Sequence, residues 1–554
     1  MRDKIKFLYP DRADEVADRT DGLLNRYRAE HPVGAARTPR FSANDAVLIC
    51  YGDHVQEPHR RPLETLNSFL DCYVRDSIPR VHILPFFPYS SDDGFSVIDY
   101  YRVNDELGDW PDVERIADGS RLMFDLVINH VSAQSQWFQR FLAGDPIYRD
   151  YFLAFDQPAD MSSVFRPRTH PLLTPFWTTQ GERYVWTTFS DDQIDLNFAN
   201  PDVLLQFIDI LLFYIARGAT IIRLDAIAYL WKELGTSCIH LPQTHAVVKL
   251  FRQILDEIAP DVWIITETNV PHADNVSYFG NGSDEAHLVY NFALPPLLLY
   301  SLVTGDASDL TRWAKSLAPP SSDTAFFNFT ASHDGIGVTA LRELIPDHEF
   351  RRVLKTAEAR GGRINYRSVP GQDAVPYELN IVYMDAVGGV RPFLASQAIA
   401  LALQGVPAVY FNSLIGAENW AEGVRRLGYN RAINRQKFDY EALTRELEDP
   451  TTIKHRVYQA YSRLLRVRRA EPAFSPLAEQ QVIDLDPRVF AVLRGVERYT
   501  VLALTNVSGE PAELNPAIIR RTLGKSRARD IATGRVRDLT VSVRLEPYEV
   551  AWLK

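Results

Sequence analysis

Eight short apolar runs, alternating with helical patterns, constrain the fold of this chain more than any other feature. They are Ala46–Cys50, Val81–Leu84, Arg121–Ile128, Thr220–Leu224, Val262–Thr266, His287–Tyr290, Phe326–Phe329 and Pro407–Phe411. Stretches between them, such as Val203–Arg217 and Thr244–Ile258, carry apolar residues at helical spacing. The runs are continuously apolar rather than alternating, which suits parallel strands covered by helices on both faces. Eight βα units predict a closed barrel, with an open doubly wound sheet as the alternative the pattern leaves.

Two connections are too long for ordinary βα loops. One spans 131–190 and is rich in Pro, Phe and Trp. The other spans 335–383 and contains Gly361-Gly362-Arg363 and Pro370-Gly371-Gln372-Asp373. Both begin at the strand ends where parallel barrels keep their chemistry. The expected organisation is a helical extension at 1–40, a barrel at 41–130 and 191–473, an inserted domain at 131–190, and a long loop on the acceptor side at 335–383. From 474 to 554 short strands (Val489–Leu493, Tyr499–Asn506, Val541–Leu545) predict a small β domain.

Bulk properties narrow the class of partner. The 554 residues exceed what one hydrophobic core serves, in line with several units. A formal net charge of -11 argues against nucleic acid or an anionic membrane as the main partner, while leaving room for a local basic pocket. Three cysteines (Cys50, Cys72, Cys238) are odd in number and lack metal-ligand spacing, so a reducing, cytoplasmic setting is expected, with Cys238 a buried thiol. The N-terminus leads into a charged helical pattern without the apolar stretch of a signal peptide. Phe393 to Phe411 is broken by Gln397, Gln404 and Pro407, and reads as a buried helix followed by a strand. His240, His245 and His272 do not carry zinc spacing. No metal and no cofactor are expected, and a monomer and a homodimer fit equally.

Five motifs carry chemistry: Phe124-Asp125-Leu126-Val127-Ile128-Asn129-His130, Gln193-Ile194-Asp195-Leu196-Asn197, Ile222-Arg223-Leu224-Asp225-Ala226, Ile264-Ile265-Thr266-Glu267-Thr268 and Thr330-Ala331-Ser332-His333-Asp334. Asp225, Glu267 and Asp334 each end or closely follow a strand. Retaining glycoside chemistry needs an ionised carboxylate and a protonated one about 5–5.5 Å apart. Asp225 suits the nucleophile, because Arg223 lies two residues earlier on the same strand face and favours its ionised form. Glu267 suits the acid/base, its pKa raised by burial and neighbouring carboxylates. Asp334 would hold sugar hydroxyls, with His130 and His333 as hydrogen-bond donors. Each acid taken singly fits a strand-end helix cap equally well; the ordered set does not.

The motifs resemble the shared regions of the α-amylase clan of glycoside hydrolases, over nearly the whole chain. That resemblance implies a (β/α)8 TIM barrel with a domain inserted after strand three. Ser91-Asp92-Asp93-Gly94-Phe95, Gly235-Thr236-Ser237-Cys238, His333-Asp334-Gly335-Ile336-Gly337 and Arg431-Ala432-Ile433-Asn434-Arg435 narrow it to the sucrose-phosphorylase-like subfamily. By that resemblance Asp92 and Arg435 grip the distal glucosyl hydroxyls. Phe95 stacks on the ring, ordinary core packing being the alternative. Arg166 and Arg168, in Phe165-Arg166-Pro167-Arg168-Thr169, fit either a solvated loop or an anion clamp from spacing alone. The matching Arg-Pro-Arg of the subfamily points to phosphate. Tyr377 matches a tyrosine on its mobile loop.

Two departures fall on the acceptor side. Asn269 stands where the subfamily usually has histidine, and Glu378 where it has glutamine, which puts fructose in doubt as the leaving group. Leu427-Gly428-Tyr429-Asn430-Arg431-Ala432-Ile433-Asn434-Arg435 and Ile265-Thr266-Glu267-Thr268-Asn269-Val270-Pro271-His272 look most like the glucosylglycerate phosphorylases. A carboxylate-bearing aglycone would need donors, for which Arg363, Arg367 and Asn269 are candidates. The resemblance implies glucosyl transfer from 2-O-α-glucosylglycerate to phosphate by double displacement, with a small sugar and phosphate as the only partners. Sucrose or glucosylglycerol phosphorolysis, hydrolysis, and a non-catalytic scaffold are the competing readings.

Overall fold

In the computed structural model, which describes residues 1–34, 40–368, 374–496 and 499–554, eight parallel strands close into one barrel. They are β1 (Val47–Cys50), β2 (Arg80–Ile83), β3 (Arg121–Val127), β4 (Ala219–Asp225), β5 (Trp263–Thr266), β6 (Leu288–Tyr290), β7 (Ala325–Phe329) and β8 (Val406–Tyr410). Each lies on one of the eight apolar runs. β1 closes the ring by pairing with β8, Val47 beside Ala408. The strands are buried along nearly their whole length, which is why their sequences do not alternate.

The covering helices form where the sequence starts and stops them. Helix Pro201–Ala216 opens with the Asn200 side chain accepting from the Asp202 N–H and with proline in its first turn, and Arg217 then leaves the helical path. Val203, Leu204, Phe207, Ile208 and Leu211 are buried on its inner side. Each such side chain contributes about 1.5–3 kcal/mol, and Ile208→Ala would cost about 2–5 kcal/mol. The N-terminal helices Arg2–Leu8 and Ala13–Glu30 bury Ile5, Leu8, Val16 and Leu24. Tyr9 fastens them by donating its hydroxyl to the Phe198 carbonyl at 2.7 Å.

The connection after β3 folds as a small unit. Strands Ala154–Phe155, Gly181–Trp186 and Leu173–Thr178 make an antiparallel sheet in that order, and His130–Ser132 pairs with Gln193–Asp195 at its neck. Val164, Leu172 and Trp186 form a small core there together with Cys238 from the connection after β4.

The connection after β7 departs from the long loop expected there. Ile336–Gly337, Val375–Asn380 and Arg363–Arg367 build a three-stranded antiparallel sheet, and Asp347–Ala359 is a helix that buries Phe350, Val353 and Leu354. Apolar residues at helical spacing and the Ile336–Leu379 and Ile364–Leu379 strand pairs explain the regularity. Gly361, at φ 88°, reverses the chain after that helix. Pro370-Gly371-Gln372-Asp373 lies outside the described residues.

The C-terminal sheet runs Glu479–Val482, Val489–Val496, Tyr499–Asn506, Val550–Leu553. The expected strand at Val541–Leu545 is shorter, Val543–Leu545, and pairs with Ala512–Leu514 instead of joining that sheet. Helix Pro516–Leu523 also belongs to this region. Two buried guanidinium groups join it to the barrel. Arg468 donates to the carbonyls of Leu401, Gly405 and Phe474, and Arg494 to those of Ala402, Ser475 and Ala478. Among the described residues no helix is long and apolar enough to cross a membrane.

Candidate active site

Parallel register decides which side chains meet above the barrel. Arg223 on β4 stands beside Asp125 on β3 and Ile265 on β5. Asp225, at the end of β4, therefore emerges next to Glu267, which follows the last residue of β5. Ala226 turns the chain in the left-handed region, at φ 53°, a costly conformation for a residue with a Cβ. Its N–H donates to Glu267 Oε2 at 3.1 Å, so the two strand ends are tied together.

Arg223 links three carboxylates. Its Nη1 donates to Asp125 Oδ1 and to Asp225 Oδ1, each at 2.5 Å, and its Nη2 lies 3.9 Å from Glu267 Oε2. Asp125 is held from behind by His82 Nε2 at 2.6 Å. Sequence alone assigns no role to Asp125 or His82. The signal lies in the register itself, because β3 and β4 present Asp125 and Arg223 as direct neighbours.

Burial and charge separate the acids. Burial raises Glu267, the charges of Asp225 and Asp334 add to the rise, and its pKa stands at about 7 despite Arg223. Burial also raises Asp225, opposed by Arg223 and His130. Asp334 lies below its ordinary value, since Arg431 and Arg435 outweigh its burial. Near neutral pH the set holds a proton preferentially on Glu267.

Asp334 forms an ion pair with Arg431, Oδ1 to Nη1 at 2.7 Å, with Arg435 Nη2 at 4.0 Å. Arg435 Nη1 reaches Asp93 Oδ2 at 2.7 Å and Asp92 Oδ1 at 3.3 Å, and its Nε donates to the His333 carbonyl at 2.9 Å. Asp92 and Asp93 sit at φ 51° and 49°, a left-handed turn that aspartate tolerates better than most residues. Phe95 stacks on the His333 ring, centroids 4.6 Å apart. His130 lies with Nε2 2.9 Å from the Phe95 carbonyl oxygen. Arg435 Nη2 and His333 Nδ1 are buried without a hydrogen-bond partner among the described residues.

Two connected cavities result. The inner one is lined by Asp225, Glu267, Asp334, Phe95, His130, Arg223, His333 and Asn269, with Asp92 at its edge. It leaves the centre of a water molecule only about 70 Å³ in which to move, against about 780 Å³ in the vestibule outside. Arg168, Tyr377, Phe189 and Arg431 line both. All three expected catalytic carboxylates thus face one narrow space.

The expected acceptor residues divide. Arg168 lies over the Phe189 and Tyr377 rings, 5.5 Å from each centroid. Arg166 instead donates to the His170 carbonyl, Arg363 is exposed, and Arg367 lies over the Phe165 ring at 5.0 Å. None of these three is among the residues lining either cavity. Their strand and loop positions aim them aside, which spacing along the chain could not reveal. Glu378 does reach the inner cavity, but its oxygens accept from Arg431 Nε and Nη2 at 3.0 and 2.8 Å, and from the Gly335 N–H at 3.0 Å. Arg431, part of a motif but without a role assignable from sequence, stands one turn before Arg435 in the short helix Asn430–Asn434.

A second buried cluster fixes the inserted unit to the barrel. Lys232 Nζ lies 2.7 Å from both Asn129 Oδ1 and Asp195 Oδ2, and Thr188 donates its N–H and hydroxyl to Asp195 at 2.7 and 2.6 Å. Asn129 and Asp195 bracket the insertion, so this one ammonium closes its neck.

Comparison with known proteins agrees with this geometry. Residues 73–334 match the α-amylase catalytic domain. A glucosylglycerate phosphorylase from Spirochaeta thermophila is 49% identical, covering 100% of this chain and 98% of its own length. Another, from Escherichia coli, is 43% identical over 95% of this chain and 94% of its own. The crystal structure of a sucrose 6F-phosphate phosphorylase from Thermoanaerobacter thermosaccharolyticum superposes with a TM-score of 0.75 at 27% identity, covering 84% of this chain and 94% of that one. With its barrel, its carboxylates in register and relatives of this identity over full length, the chain belongs to the glucosylglycerate phosphorylase family of α-amylase-type barrel enzymes.

Proposed function

We propose that this protein is a retaining phosphorylase that moves an α-glucosyl group from 2-O-α-glucosylglycerate to inorganic phosphate, releasing glycerate and α-glucose 1-phosphate. One observation carries the reading: Asp225 and Glu267 share Arg223 within a single narrow cavity, where burial and the neighbouring carboxylates raise Glu267 to about 7. In the first half-reaction Asp225 Oδ attacks the anomeric carbon while Glu267 gives its proton to the departing glycerate oxygen. Arg223, braced by Asp125 and His82, keeps Asp225 oriented as a carboxylate. Asp334 would hold the ring hydroxyls and Asp92 the distal ones, with His130 and His333 as hydrogen-bond donors and Phe95 as an apolar wall. Arg435, expected to grip the distal hydroxyls itself, lines neither cavity and instead braces Asp92 and Asp93.

In the second half-reaction phosphate enters the space left by glycerate and displaces Asp225 from the same face. Inversion twice gives retention. Phosphate already carries negative charge, so a fixed cation helps it more than a strong base does. Arg168 and Tyr377, at the junction of the cavities, suit that task. The reaction as written needs no cofactor; phosphate is the co-substrate.

The test is phosphorolysis by the purified protein across glucosylglycerate, glucosylglycerol and sucrose. Phosphate-dependent glucose 1-phosphate from glucosylglycerate, with the other two donors much slower, is expected. Equal or faster turnover of sucrose, or glucose release that ignores phosphate, would overturn the proposal.

A further inference from the structure

Among the described residues three guanidinium groups line the cavities, and they are not equivalent. Arg223 is matched by Asp125, Asp225 and Glu267. Arg431 is matched by Asp334 and by both oxygens of Glu378. Arg168 has no carboxylate within ion-pair distance among the described residues, and donates only to the neighbouring Pro167 carbonyl at 3.3 Å. It lines both the inner cavity and the vestibule. The Phe189 and Tyr377 rings, each with its centroid 5.5 Å from the guanidinium carbon, contact it without neutralising it.

From this we infer that Arg168 is a single anion seat used twice: first by the carboxylate of the glycerate aglycone, then by phosphate. This rests on the donor proposed above. Both anions require a cation at the same place, on the aglycone side of the bond that Glu267 protonates. Arg431 cannot supply a second seat, because Glu378 occupies it from behind and Asp334 from the sugar side. The glutamate at 378 thereby acquires a reason: it keeps Arg431 turned to the glucosyl pocket and leaves one receptor outside. Arg363 and Arg367, the basic residues expected to meet the carboxylate, do not line the space. With one seat, glycerate must leave before phosphate can dock, so alternation of the two half-reactions is built into the charge inventory.

The inference can be tested with Arg168→Gln and with two donors, glucosylglycerate and its uncharged carboxamide. In a double-displacement scheme kcat/KM for the donor reports only the first half-reaction, and kcat/KM for phosphate only the second. Removing a charge-assisted, bidentate pair of hydrogen bonds from either step lowers its rate by about 10- to 100-fold. The wild-type protein should prefer the acid over the amide by that factor. In Arg168→Gln the preference should vanish, with kcat/KM for the acid falling to the level of the amide, and kcat/KM for phosphate should fall in parallel. A circular-dichroism spectrum and a thermal midpoint matching the wild type show that the variant is folded. A variant that loses phosphate use but still prefers the acid would place the carboxylate elsewhere and overturn the inference. A general loss on both donors would also count against it, as Arg168 would then act on more than the anion. If the wild-type protein forms no glucose 1-phosphate from glucosylglycerate at all, it is the functional proposal that fails.

Discussion

Replacing Glu267 with glutamine removes one proton donor and leaves the shape of the cavity nearly unchanged. Glu267 holds its proton to about pH 7 because it is buried and faces the charges of Asp225 and Asp334. The sign follows directly. The first half-reaction needs the protonated form, so kcat/KM for glucosylglycerate should fall as pH rises through that value. At pH 8 roughly one molecule in eleven retains the proton, a loss of about tenfold. General-acid assistance to an alkoxide leaving group is worth about 10²–10⁴ in rate, or about 2.7–5.4 kcal/mol. Glu267→Gln should therefore lose that factor on glucosylglycerate. On α-glucosyl fluoride, whose leaving group scarcely needs a proton, it should lose less than about tenfold. The assay is initial-rate kinetics with both donors between pH 5 and 9. The alkaline limb should be present for the wild type and absent for the variant. Equal losses on the two donors, or an unchanged limb in the variant, would refute the assignment of the acid.

Two further predictions concern the scaffold. Lys232→Met leaves the buried Asp195 carboxylate and Asn129 without their ammonium partner, a penalty of about 3–5 kcal/mol; limited proteolysis should then cut first within 131–190, and a wild-type digestion pattern would contradict the role given to Lys232. Arg468→Met strands the carbonyls of Leu401, Gly405 and Phe474 in the barrel–sheet junction, at about 1–3 kcal/mol for each group left unpaired; the thermal midpoint should drop clearly while kcat/KM of the remaining folded protein stays near wild type, and an unchanged midpoint would argue that the guanidinium is dispensable.

How much of this is legible in the sequence depends on the range of the interaction. The eight strands can be read because burial on both faces writes itself as local apolar runs. The positions of Asp225, Glu267 and Asp334 can be read because strand ends in a parallel barrel converge on one rim. Arg223 is legible too, since two residues along a strand restore the same face. Asp125 and His82 require knowing that β2, β3 and β4 lie side by side in a particular register. Glu378 and Arg431 are 53 residues apart, and nothing in either segment announces the other. The fates of Arg166, Arg363 and Arg367 turn on loop direction, which residue type does not encode. For the same reason the stretch after β7, whose glycines suggest a loop, holds a helix and a sheet whose pairings are non-local.

The central claim is a covalent ester between glucose and Asp225, formed and broken within one cavity. Incubating Glu267→Gln with α-glucosyl fluoride in the absence of phosphate, followed by peptide mass spectrometry, tests it directly. A single added hexosyl group on the peptide carrying Asp225, removed by adding phosphate, is the predicted result. A hexosyl group on any other carboxylate, or turnover of the fluoride with every peptide unlabelled under rapid quenching, would contradict it.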